Sequence, residues 1–132
     1  MNGIATDFDL EGYIADGDLR RGDYVMEIDR AEDVPDKGYL GIFGQWLEGP
    51  EDTNGKPIEG REAVIFLTTK SDRIAAYPSL VRRTKNVLKK FVDVVGSDPD
   101  EMAGQTVALS ISVRARANGG QNIDVTDVRR PA

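Results

Sequence analysis

The chain has 132 residues, 39% of them apolar, and a net charge of −6, which suits one domain that buries a core without metal or disulfide support. It contains neither cysteine nor histidine, which excludes disulfides, thiolate metal sites and thiol nucleophiles and removes the commonest general base. Catalysis would have to rest on carboxylates, lysine, tyrosine or serine, so we expect a binding protein without enzymatic activity, cofactor or bound metal.

The charge is distributed unevenly along the chain. Residues 1–60 hold 15 acidic and 5 basic side chains, whereas residues 61–132 hold 8 acidic and 12 basic ones. One interpretation is that one surface meets a polyanion while another stays soluble or mimics a polyanion. The other is that the charges merely solvate the two halves differently, and the sequence leaves both open.

Residues 1–20 show no sustained hydrophobic period, so we predict an irregular acidic N-terminal arm, followed by a domain over residues 21–132. The chain shows neither a signal-peptide pattern nor an apolar run of membrane-spanning length, so we expect it in the cytoplasm, without membrane contact. The carboxylates from Asp7 to Asp18 are spaced as in an EF-hand calcium loop. The six residues before them are too few for a flanking helix, the region after them is predicted as turn and strand, and the last ligand is not Glu, so chance spacing explains them better.

Two strands are predicted after the arm. Tyr24 to Asp29 alternates apolar and acidic side chains, which indicates a half-buried strand, and the acidic stretch from Glu32 to Asp36 predicts a turn after it. In the second strand, Tyr39 to Leu47, both alternating sets are apolar, a pattern that a strand buried on one side would not show. Gly41 and Gly44 within it fit the bulges that a curling sheet needs.

A third strand and a helix come next. Glu62 to Thr69 is predicted as a strand from its alternating apolar residues, after a polar connection that contains the turn signal Asn54-Gly55. Ser79 to Val95 is predicted as an amphipathic helix, because apolar residues recur at helical spacing and Gly96 can end it. Basic residues from Arg82 to Lys90 cover its remaining surface.

The last two predicted strands form a hairpin. Val107 to Arg114 alternates apolar residues with small or polar ones, and Asn118-Gly119-Gly120 turns the chain into a fifth strand, Asn122 to Val128. The predicted fold is therefore mainly β, with one long helix between strands three and four.

This element order resembles the five-stranded barrel of the oligonucleotide/oligosaccharide-binding fold, the OB-fold. The segments Gly104 to Val113 and Gly119 to Ile123 are similar to the strand-turn-strand ending of bacteriophage single-stranded DNA-binding proteins with this fold. The resemblance covers residues 22–130 at the level of topology. It implies a five-stranded OB-like barrel that works by binding.

The resemblance also implies that bases stack on aromatic side chains of the second and third strands, because every base offers a π-face. The candidates are Tyr39, Phe43 and Trp46, with Phe66 less favoured. The competing assignment for each of them is the barrel core. The doubly apolar second strand favours a surface role for the group.

Cations that track phosphates are expected beside those aromatic residues. The candidates follow the third strand or enter the last turn: Lys70, Arg73, Arg114 and Arg116. The basic helix face from Arg82 to Lys90 receives less weight, because in an OB-fold the helix closes the end of the barrel away from the usual ligand face and a basic stripe is most often a solvated surface.

The predicted function is binding of single-stranded DNA with little sequence preference, in replication or recombination of a phage, within the host cytoplasm. The alternative is a protein-interaction module, in which the acidic first half binds a basic nucleic-acid-handling partner, for instance by mimicking DNA. A homo-oligomer is compatible with both.

Overall fold

In the computed structural model, which describes residues 5–72 and 74–132, five strands form one antiparallel sheet and one long helix follows the third strand. The mainly β class and the position of the helix are thus confirmed. The elements in chain order are β1 (Gly22–Val34), β2 (Tyr39–Glu48), β3 (Glu62–Thr68), α1 (Pro78–Val95), a short 3-10 helix (Pro99–Glu101), β4 (Thr106–Ala115) and β5 (Gln121–Arg129).

The strands are ordered β3-β2-β1-β4-β5. Among the described residues β3 is hydrogen-bonded only to β2 and β5 only to β4, so the sheet is open, and the prediction of a barrel is wrong in this respect. The two edge strands approach each other, with some Cα atoms within 8 Å. A cleft lined by residues of β3, α1, β4 and β5 lies between them, with Thr68 and Thr126 in its lining.

β1 is longer than the sequence indicates. It continues to Val34 because a bulge at Asp29 shifts the alternation of the side chains beyond it, and the turn is confined to residues 35–38. The bulge faces Gly44 of β2, where an added Cβ would stand 1.9 Å from the Glu27 carbonyl oxygen. Only glycine fits at this position, as its predicted role in a bulge requires.

The core lies on the inner face of the sheet and is closed by α1. Each strand contributes its inward-pointing apolar residues, and α1 adds Val87, Phe91 and Val95. Trp46 and Tyr24 are the largest fully buried side chains, with ring centroids 4.9 Å apart. The core therefore accounts for one of the two apolar sets of β2 and leaves the other outside.

Residues 5–21 contain no helix or strand, and a buried carboxylate fastens their second part to the sheet. Asp52, between β2 and β3, accepts hydrogen bonds from the backbone amides of Gly17 at 2.8 Å, Asn54 at 2.8 Å and Lys56 at 2.9 Å. The Arg61 guanidinium pairs with the same carboxylate at 2.9 Å and donates to the Gly17 carbonyl oxygen at 3.0 Å. Asp52 thus holds the arm and the β2–β3 connection together.

These contacts make a pH-dependent contribution to stability. Burial alone would raise the pKa of Asp52, but the hydrogen bonds from the three amides and the charge of Arg61 outweigh it and lower the pKa below its ordinary value of 3.8. A carboxyl group whose pKa falls on folding stabilises the folded state above the ordinary value, and the contribution is lost as the pH drops through the lowered pKa.

We therefore expect Asp52→Asn to unfold at a lower urea concentration than the wild type at pH 7, with the difference shrinking below about pH 4. Asp36→Asn removes the same charge from an exposed turn position and serves as the control. Equal unfolding midpoints for the two variants at pH 7 would contradict the role assigned to Asp52.

Candidate nucleic-acid interface

Three aromatic side chains cluster on the outer face of β2 and β3: Tyr39, Phe43 and Phe66, which we call the aromatic platform. The Tyr39 and Phe66 rings meet edge to face with centroids 5.2 Å apart, and the Phe43 and Phe66 rings do so at 6.2 Å. Phe66 is 55% exposed, whereas the other two are half-buried. The platform therefore presents aromatic surface to solvent at the edge of the sheet.

The register of β2 and β3 explains why these rings converge. Phe66 lies opposite Gly41, so its ring extends over a position that has no side chain, between Tyr39 and Phe43. A Cβ at Gly41 would lie 2.9 Å from the Phe43 ring and 3.4 Å from the Phe66 ring. This glycine, which the sequence indicates only as a bend residue, makes room for the platform.

A cation is stacked on the platform. Arg30 of β1 lies opposite Phe43, and its guanidinium carbon is 3.9 Å from the centroid of the Phe43 ring, a distance at which cation and ring attract each other. Glu32 pairs with Arg30 at 3.5 Å on the exposed surface. Sequence reasoning missed Arg30 because its place beside Phe43 depends on the bulge in β1.

Trp46, predicted to stack on bases, does not belong to the platform. It is 1% exposed and packs against Tyr24 in the core. Successive side chains of a strand point to opposite faces, so Trp46 cannot share a face of β2 with Tyr39 and Phe43. We correct the assignment, since the buried ring offers no surface on which a base can stack.

A cleft of about 560 Å³ lies beside the platform, between β3, α1 and β5. Phe66 belongs to both features, so the aromatic surface continues into the cleft. Two cations line it, Arg83 from α1 and Arg114 from β4, and Arg114 pairs with Asp124 at 3.6 Å. The basic face of α1, which the sequence favours less as a ligand surface, thus contributes Arg83 to the same cleft as Arg114.

The other predicted cations are spread along the molecule. Lys70 is exposed just beyond β3, close to Gly38 in the β1–β2 turn, and Arg73 lies outside the described residues. Arg116 follows β4 and donates a hydrogen bond to the Asn122 side chain at 2.7 Å. The structure therefore brings Arg114 near an aromatic residue, while Lys70 and Arg116 lie at separate turns.

Acidic side chains stand next to the platform on the neighbouring strand. Asp29 and Glu32 of β1 are exposed, and Glu27 is half-buried and accepts a hydrogen bond from the Gln45 side-chain amide at 3.3 Å. The platform thus lies between an acidic strand on one side and a cleft with two arginines on the other.

In comparisons with known proteins, no family model and no curated protein matches this chain. Within residues 5–72 and 74–132, no helix has the length and apolar character needed to cross a bilayer, and no group of three or more acidic side chains is arranged to hold a metal ion. The resemblance to phage single-stranded DNA-binding proteins therefore stays a prediction, and the geometry of the site has to support any functional proposal.

The burial of Trp46 leads to a stability prediction. Trp46→Ala removes the largest side chain of the core and should lower the free energy of unfolding by about 3 to 5 kcal/mol. Tyr77→Ala, at a position that is 62% exposed, should change it by less than about 0.5 kcal/mol. Urea titrations of both variants measure these values.

Because Trp46 is the sole tryptophan of the chain, its fluorescence reports its environment directly. Iodide should quench the emission weakly in the native protein and strongly in urea. Strong quenching of the native protein would place the ring at the surface and overturn the correction.

Proposed function

We propose that this protein binds single-stranded DNA with little sequence preference, by stacking bases on the aromatic platform and contacting phosphates with nearby cations. The observation that carries the proposal is the platform itself, three converging rings with an arginine stacked on one of them, on the outside of a small sheet. A role in replication or recombination of a phage is part of the expectation from the resemblance and stays a prediction.

The topology supports an OB-like reading of the fold. An OB-fold is a partly open five-stranded barrel in which strand one pairs with strands two and four and ligands lie across the face of strands two and three. Here β1 pairs with β2 and β4, α1 lies between β3 and β4, and the platform occupies the outer face of β2 and β3. The open seam between β3 and β5 is compatible with this topology.

The chemistry of the platform suits unpaired bases. An exposed aromatic ring stacks on any base, and substitution of such a ring by alanine typically costs about 1 to 3 kcal/mol per base. Phe66 offers the most exposed ring, and Phe43 supports it from the side while holding Arg30. Arg30 is therefore placed to contact a phosphate that flanks a stacked base.

We expect Phe66→Ala to raise the dissociation constant for a single-stranded oligonucleotide by about 5- to 150-fold, because it removes one stacking surface. Tyr77→Ala removes a similarly exposed aromatic side chain that is not part of the platform and should leave the affinity unchanged. Fluorescence anisotropy with a labelled oligonucleotide measures both. Equal affinities for the two variants, with both still folded, would rule out the platform as the binding surface.

The proposed phosphate contacts predict a salt dependence. Four exposed cations are candidates, namely Arg30, Lys70, Arg114 and Arg116. With roughly three to five phosphates contacted, the logarithm of the binding constant should fall against the logarithm of salt concentration with a slope of about −2 to −3.5. Absence of binding to single strands even at low salt would end the proposal.

A second function is favoured by a separate observation, the acidic surface. The acidic side chains of the arm are exposed, as are Asp23, Asp29 and Glu32 of β1. Such a surface suits a basic protein partner, which the chain could engage as a protein-interaction module or DNA mimic. In the same anisotropy assay, binding of a labelled lysine-rich peptide that weakens in the double variant Asp29→Asn/Glu32→Gln, with no binding of DNA, would favour this second function.

A further inference from the structure

We infer that a second copy of this chain inserts its acidic-apolar segment, residues 7–11, into the cleft between β3, α1 and β5, as an extra strand on the free edge of β3. The inference goes beyond the proposed function, because it concerns a protein interface beside the aromatic platform. It rests on three observations: the pattern of the segment, the free strand edge and the lining of the cleft.

The segment has the pattern of a strand but no partner in the described structure. It reads Asp7-Phe8-Asp9-Leu10-Glu11, which in an extended conformation places the apolar residues on one face and the acids on the other. In one copy the segment is not extended, since the Tyr13 amide donates a hydrogen bond to the Leu10 carbonyl oxygen at 3.2 Å, so the inference requires it to straighten on binding. Phe8 is 77% exposed and Leu10 is 58% exposed, although both are large apolar side chains. Two large apolar side chains exposed next to each other on one face of a segment can be buried against another chain.

The free edge of β3 offers a backbone partner. In the described residues β3 is hydrogen-bonded only to β2, so its other edge has no partner strand, although part of it lies with Cα atoms within 8 Å of β5, and an added strand therefore needs the end of the edge that borders the cleft. This edge borders the cleft at residues 66–68 and carries no acidic residue there. The opposite wall, β5, carries Asp124 in the cleft, which would repel the acids of the segment, so we assign the added strand to β3.

The lining of the cleft matches both faces of the segment. Its apolar residues, Ile74, Leu80, Val87, Leu88 and Val125, can take up Phe8 and Leu10. Arg83 lines the same cleft and can pair with an acid of the segment. Among the described residues, α1 forms salt bridges through Lys89 and Lys90 and not through Arg83. The charge of Arg83 is therefore available to pair with an acid of the segment.

Contacts of the arm direct the segment away from the cleft of its own copy. The Asn54 side chain donates to the Ala15 carbonyl oxygen at 2.9 Å, and Lys56 pairs with Asp16 at 2.8 Å and lies 4.7 Å from the centroid of the Tyr13 ring. The arm therefore runs along the β2–β3 connection as it leaves the sheet. No described residue of the arm lines the cleft of its own copy, which leaves the segment available to another copy.

The first experiment uses the absence of native cysteine. One chain carries Asp9→Cys and a second chain carries Thr68→Cys, and the two are mixed and oxidised with copper phenanthroline. Neighbouring strands bring paired Cα atoms within disulfide reach, so we expect a mixed covalent dimer at several times the rate found when Ile14→Cys replaces Asp9→Cys. Equal rates for the two mixtures would overturn the inference, as would the absence of a mixed dimer.

The second experiment measures mass by light scattering over a wide range of protein concentration, without DNA. The wild type should move from monomer to dimer as the concentration rises, whereas Phe8→Ser/Leu10→Ser and Arg83→Glu should stay monomeric. The matched controls are Ile14→Ser, an exposed apolar residue outside the segment, and Arg82→Glu, an exposed helix residue that does not line the cleft. Both controls should dimerise like the wild type.

A monomeric wild type, or loss of the dimer in the controls as well, would overturn the inference. Its failure is separable from that of the proposed function, because mass and cross-linking involve no DNA. Conversely, Phe43→Ala alters the platform without lining the cleft and should leave the dimer intact.

Discussion

In β2, successive side chains point to opposite faces of the sheet, and this alternation divides its apolar residues between the core and the candidate interface. Ile42 and Trp46 point inward and are buried, while Tyr39 and Phe43 point outward. The outward rings lie at the surface, and contacts with Phe66 and Arg30 cover part of them and reduce the apolar area exposed to water. A single strand thus contributes to stability and to the candidate site, and the two roles separate residue by residue.

Two glycines allow this strand to do both. At Gly44 the β1 backbone comes so close that no side chain fits, which permits the bulge that turns Arg30 towards Phe43. At Gly41 the missing side chain leaves the space that the Phe66 ring enters from β3. The absence of a side chain at these two positions therefore determines where the rings and the arginine of the platform can lie.

Much of the fold could be predicted from sequence because its signals are local. The helix begins at Pro78, one residue before its predicted start at Ser79, β3 ends one residue before its predicted end, and β4 is longer than predicted by one residue at each end, since period and turn residues define these elements. The length of β1 could not be predicted, because a bulge changes the period within one strand. Strand pairing between β3 and β5 depends on the path of distant segments, and no local pattern reports it.

The sequence predicts that aromatic side chains form the candidate site, but it does not predict correctly which of them lie on the outer face of the sheet. The apolar residues on both faces of β2 predict Tyr39 and Phe43 as surface aromatics, but the same pattern also predicts Trp46, which the pleat places in the core. The sequence pattern of β3 alone does not reveal that Phe66 lies across from a glycine. Pairing between strands, which sequence alone does not give, decides which aromatic residues meet.

The charge of the molecule bears on selectivity under the proposed function. A chain with a net charge of −6, and with acids on β1 beside the platform, repels a polyanion that offers only its backbone. Duplex DNA is such a ligand, because its bases are stacked on one another and cannot reach the rings. Under the proposed function, an unpaired strand would add base stacking, which a duplex cannot offer, to phosphate contacts at Arg30 and the cleft. The acidic surface that would favour a basic partner in the second function would, in the first, act to discriminate single strands from duplex.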